Sequence, residues 1–104
     1  MRNLRSLIFI SVLMWGTIVA AAAELSGHVT ARGTALSGAV VTANLIGPKG
    51  AAGMTVTRTD ARGSYIFRGL ANGNYILLVD YNGRRLYQGR VTLSGGVLAK
   101  NIEL

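Results

Sequence analysis

Thr59-Asp60-Ala61-Arg62-Gly63-Ser64-Tyr65-Ile66-Phe67, followed by Leu70 and by Gly73-Asn74-Tyr75-Ile76-Leu77, decides the fold. Each half is a turn feeding an alternating run. Asp60 can accept hydrogen bonds from backbone amides across its turn, and Gly63 supplies the left-handed geometry that closes it. Alternation then puts Tyr65 and Phe67 on one face of their run and Tyr75, Leu77 and Val79 on one face of the next. Large rings at every second position belong between sheets.

Outward from this stretch, glycines and turn dipeptides recur every six to ten residues, and the runs between them are rich in Val, Ile, Thr, Tyr and Leu. That rhythm predicts an all-β sandwich. Seven strands are expected, over 25–31, 39–46, 54–59, 64–68, 74–80, 85–91 and 97–104. No stretch after Glu24 has sustained helical periodicity with capping signals. Asn72-Gly73 and Asn82-Gly83 are both expected to close hairpins, since Asn and Gly tolerate the positive φ of tight turns. In the second strand Ala39, Val41, Ala43 and Leu45 share one face. With the alternating aromatics and aliphatics above they form the predicted core.

The first 23 residues read differently. Arg2 and Arg5 precede an uncharged run from Ser6 to Ala23, the form of a secretory signal peptide with cleavage expected after Ala21-Ala22-Ala23. An uncleaved anchor is the alternative. The domain then spans residues 24–104, and the only Trp leaves with the leader.

The whole chain has 104 residues, 11 Lys plus Arg, 4 Asp plus Glu, one His and no Cys. Losing Arg2 and Arg5 lowers the net charge from +7 to +5. Zero Cys excludes disulfides, thiolate metal sites, cysteine nucleophiles and an acylated lipoprotein cysteine. A domain this small is marginal without staples, so stability must come from sheet packing.

The motifs resemble those of the carboxypeptidase regulatory-like domain. Gly27-His28-Val29, Gly33 and Leu36-Ser37-Gly38-Ala39-Val40-Val41 resemble its opening, and the stretch quoted first is similar to its T-D-x-x-G-x-Y-x-F and G-x-Y-x-L elements. The resemblance covers nearly all of the chain after the leader. It implies a seven-stranded, transthyretin-like Greek-key sandwich that acts as an accessory module without catalysis.

Few residues suit chemistry. His28 has no second His, Cys or nearby carboxylate in sequence and is expected to face solvent. The hydroxyisourate hydrolases are similar in having a His-Val near the start. They need further histidines and a C-terminal Tyr-Arg-Gly-Ser tail, for which the internal Tyr87-Gln88-Gly89-Arg90 is a poor substitute. A Lys–Asn isopeptide bond, as in pilin-type sandwiches, would need a lysine within 25–31, and none is there. Asp60 and Asp80 sit in separate turns, unlike the converging oxygens of a calcium loop. No cofactor or metal is expected.

Two recognition surfaces are expected instead. Ile66, Ile76 and Leu78 point away from the core on what should be neighbouring strands, an apolar patch for an envelope protein partner or for self-association. Tyr81, Arg84, Arg85, Tyr87 and Arg90 share one hairpin and could stack on sugar rings and pair with anions, the alternative being a charged edge that blocks aggregation. The expected function is therefore an exported, periplasmic or secreted, non-catalytic binding module. Protein recognition leads, binding of acidic glycans is the alternative, and hydroxyisourate hydrolysis is remote. Neither nucleic acid nor stable membrane insertion after leader removal is expected.

Overall fold

The computed structural model describes residues 22–48 and 50–104, all in strands, turns and connections. Nine strands form: β1 Ala23–Ala31, β2 Thr34–Ala35, β3 Val40–Gly47, β4 Gly50–Arg58, β5 Ser64–Leu70, β6 Gly73–Tyr81, β7 Arg84–Leu93, β8 Gly96–Ala99 and β9 Ile102–Glu103. They make two sheets of a Greek-key sandwich. One is an antiparallel sheet in the order β4-β3-β6-β7, and the other is centred on β1. Strand β1 pairs antiparallel with β5 and with the short β2, and parallel with β8 and then β9.

The two strands beyond the expected seven have simple origins. Strand β2 is the return of a tight turn in which Arg32 and Gly33 both take positive φ, 54° and 79°. The single strand expected over 97–104 is broken into β8 and β9 at Lys100-Asn101. There the Lys100 carbonyl turns inward to accept the Tyr65 hydroxyl, and the Asn101 side-chain oxygen accepts the His28 amide at 3.0 Å. A Cβ at position 27 would overlap that carbonyl, so Gly27 is required by close approach.

The core contains the residues expected from alternation, with Leu45 only partly buried, and adds Leu25, Val29 and Ile102 among others. Leu25, Val29, Val41, Leu77, Val79 and Ile102 are fully buried, and Tyr65 meets Phe67 edge to face with centroids 6.0 Å apart. Each such aliphatic side chain contributes about 1.5–3 kcal/mol by leaving water. Ala23, expected to end the leader, is a buried strand residue paired with Leu70 and Gly96. The rest of the expected leader, residues 1–21, lies outside the described residues.

One expected hairpin is absent. Asn82-Gly83 closes β6 onto β7 with φ of 52° and 76°. Asn72-Gly73 instead links β5 to β6, which belong to different sheets. Only Gly73 has positive φ there. The Tyr75 hydroxyl donates to the Ala71 carbonyl at 2.6 Å and holds the chain at that crossing.

Candidate functional site

The sandwich presents two outer faces of opposite character. On the four-stranded sheet, register carries Val40, Thr42 and Asn44 of β3, Met54, Val56 and Arg58 of β4, and Ile76, Leu78 and Asp80 of β6 to the outside. Val56, Thr42 and Leu78 lie abreast, as do Met54, Asn44 and Ile76. Thr42 is only 7% exposed although it faces outward, because its neighbours close over it. Met54 and Val56, by contrast, are 68% and 54% exposed on the sheet's edge strand. Ile76 and Leu78 are half-buried beside this row.

Ile66 does not join them. It lies on β5 in the other sheet, so the expected patch of Ile66, Ile76 and Leu78 is divided between opposite faces of the sandwich. Asn72-Gly73 crosses between sheets instead of closing a hairpin, so β5 and β6 are not neighbours. The residues that complete the patch, Met54 and Val56, carried a visible signal in the alternation Met54-Thr55-Val56-Thr57. What the sequence lacked was the pairing of Thr42 with both Val56 and Leu78.

The Tyr-Arg hairpin also divides. Tyr87 pairs with Val79 and packs against the core, with its ring over Gly89, and Tyr81 is half-buried against the same core. Arg84 lies opposite Tyr81, whereas Arg85 and Arg90 pair with the outward-facing Asp80 and Ile76. Arg85 binds both oxygens of Asp80, at 2.9 and 3.2 Å. That hydrogen-bonded guanidinium lowers the Asp80 pKa, and Asp80 in turn raises that of Arg85. The five residues thus share a hairpin but form no single surface of rings and charges.

The outer face of the β1-centred sheet holds a groove of about 530 Å³ whose lining includes Ser26, His28, Asp60, Ser64, Ile66 and Asn101. Register explains the gathering: Ser26 pairs with both Ile66 and Ala99, and His28 pairs with Ser64. The Asp60 turn is built as expected. Its Oδ1 accepts the Arg62 and Ser64 amides at 2.8 and 2.9 Å. Those bonds, with Ser64 foremost, hold the Asp60 carboxyl below the usual range, and the nearby Arg62 and His28 act in the same direction. Thr59 stitches the approach, accepting the Ala39 amide at 2.9 Å and donating to the Leu36 carbonyl at 2.6 Å. His28 is exposed, as expected, yet it faces a carboxylate that sequence separation concealed. Across the described residues no three His, Cys, Asp or Glu side chains gather as a metal site would require.

These elements define a transthyretin-like Greek-key sandwich. The family profile of the carboxypeptidase regulatory-like domain matches residues 24–104, and the chain belongs to that family. No curated protein matches it. Solved structures share the fold. A DUF3823 family protein from Parabacteroides merdae superposes with a TM-score of 0.65 at 20% identity, over 82% of this chain and 46% of that one. The present chain thus spans about half of that relative. The dioxygenase domain of a dioxygenase carbohydrate-binding protein fusion from Streptomyces sp. SirexAA-E gives 0.62 at 15% identity, over 85% and 82%. A candidate carbohydrate-binding protein from Pseudomonas aeruginosa gives 0.53 at 15% identity, over 86% and 94%. At such identities the likeness is one of fold.

Proposed function

We propose that the domain is a non-catalytic recognition module of an exported protein, and that it holds a protein partner against the outer face and open edge of β4. The observation that carries this is the pair Met54 and Val56, two large apolar side chains left exposed on an edge strand and backed by Ile76 and Leu78. An edge strand offers unpaired backbone groups, and an added strand would satisfy them while covering such side chains. The partner's chemistry follows from the same row. Arg58 is exposed on the same outer face of β4, so a fitting segment is extended, apolar opposite Met54 and Val56, and acidic opposite Arg58.

The experiment is photo-crosslinking in intact cells from a probe residue at position 56, with position 92 as control. A discrete adduct from 56 and none from 92 supports the reading. Equal labelling, or none from 56, removes it, and an adduct of twice the chain's mass identifies self-association instead. On this reading of export the leader would end at Ala22, since Ala23 is a buried strand residue. Ala20-Ala21-Ala22 offers the same small residues and leaves the buried Ala23 in the domain.

A further inference from the structure

We infer that the groove on the opposite face of the sandwich is a binding site for a neutral saccharide, with Asp60 and Asn101 engaging ring hydroxyls and Ile66 lying beneath the ring's apolar side. The site is independent of the β4 surface, since it lies on the other sheet. Its volume, about 530 Å³, falls within the range of small-ligand sites.

The polar groups select the ligand class. Asp60 is fixed by two backbone amides on Oδ1, and Oδ2 carries neither of those bonds. It offers an ionised, oriented acceptor. Asn101 is oriented too, because the His28 amide can only donate and so fixes the side-chain oxygen toward it. The Asn101 NH₂ group is thereby turned to the remaining side as a donor. His28, Ser26 and Ser64 add groups that donate or accept. A ligand must therefore bring donors to Asp60 and acceptors to Asn101 side by side. Hydroxyl groups do both. An anion would meet the Asp60 charge, and a bare cation would meet the Asn101 donors and the neighbouring Arg62. Ile66, 37% exposed, gives the C–H face of a sugar ring an aliphatic surface.

The test is an NMR titration of the ¹⁵N-labelled protein with maltohexaose, cellohexaose, xylohexaose and mannohexaose in turn. At least one should shift the amides of His28, Ser64, Ile66 and Asn101 saturably. Asp60→Asn keeps an oxygen for the turn but removes the charge, and should weaken binding about tenfold or more, as loss of a hydrogen bond to a charged group does. If that variant does not fold, His28→Ala decides, because its side chain is exposed. It should weaken binding severalfold with an unchanged melting temperature. No saturable shift with any of the four sugars, shifts confined to residues 81–90, or wild-type affinity in His28→Ala would overturn the inference. None of these results bears on crosslinking from position 56.

Discussion

Two kinds of turn shape this sandwich, and they are stabilised in opposite ways. The turns that close strands within a sheet, Arg32-Gly33 and Asn82-Gly83, are local devices: both residues of each take positive φ, and a Cβ on either glycine would meet nothing within 4 Å. Two of the turns that carry the chain between sheets are held from outside, whereas Gly38 and Gly95-Gly96 at the other two crossings have open space around them. At Gly63 a Cβ would approach the Val29 carbonyl to 2.6 Å, and at Gly73 it would approach the Leu45 side chain to 2.9 Å. A hairpin turn therefore needs the right dihedral angles. The crossings at Gly63 and Gly73 need those and an empty space in the tertiary structure.

The largest effect expected from this contrast is at Gly63. Gly63→Ala imposes the left-handed conformation on a Cβ and drives it against the Val29 carbonyl, which itself accepts the Leu36 amide. A loss of roughly 3 kcal/mol or more is expected. In a domain of this size that lowers Tm by on the order of 15 °C. A fall no larger than that of Gly83→Ala would show that the two kinds of turn do not differ.

Next comes Thr59→Val, which keeps the shape of a buried side chain while removing the oxygen that bridges Ala39 and Leu36. The buried Ala39 amide loses its side-chain acceptor, and about 2–3 kcal/mol should go with it. Urea unfolding should show a lower midpoint with an unchanged slope. A changed slope would mean that the 36–39 segment had come loose rather than lost one bridge.

At the hairpin, Gly83→Ala should cost only about 1–2 kcal/mol, the conformational penalty alone, because the space around it is open. Asn82→Gly should alter Tm by no more than about 2 °C, since glycine adopts the same φ freely. A loss at Asn82 equal to that at Gly63 would assign the side chain a tertiary role.

The same contrast explains what the sequence disclosed. Alternation identified Val41, Tyr65, Phe67, Tyr75, Leu77 and Val79 as core, because period-two burial is a local property. The Asp60 turn was equally legible, its bonds spanning no more than four residues. Asn72-Gly73 misled because the dipeptide states what backbone angles are allowed, not which sheet the next strand enters. That choice is made by Tyr75 on Ala71 and by the pairing of β6 with β3. Both candidate surfaces were hidden for the same reason. Val56 meets Leu78 only across Thr42, and His28 meets Ser64 and Asn101 from 36 and 73 residues away. Sheet pairing assembles these sites, and no local spacing encodes them.

The smallest expected effects separate the two turn carboxylates. Both Asp60 at the crossing and Asp80 in the hairpin titrate below their ordinary range, Asp60 through backbone amides and Asp80 through Arg85. A carboxylate held lower in the folded than in the unfolded chain adds stability that is complete above the unfolded value of about 3.9. That contribution disappears as pH falls through the folded value. Asp60→Asn and Asp80→Asn should therefore each differ from wild type in Tm at pH 7, and both differences should shrink below about pH 4. Salt distinguishes them. Backbone bonds at Asp60 persist in 1 M NaCl, whereas the exposed Asp80–Arg85 pair is screened within about 3 Å and its pH 7 difference should fade. Equal salt sensitivity at the two positions would mean that Asp60 owes its shift to the charges of Arg62 and His28 rather than to the turn it closes.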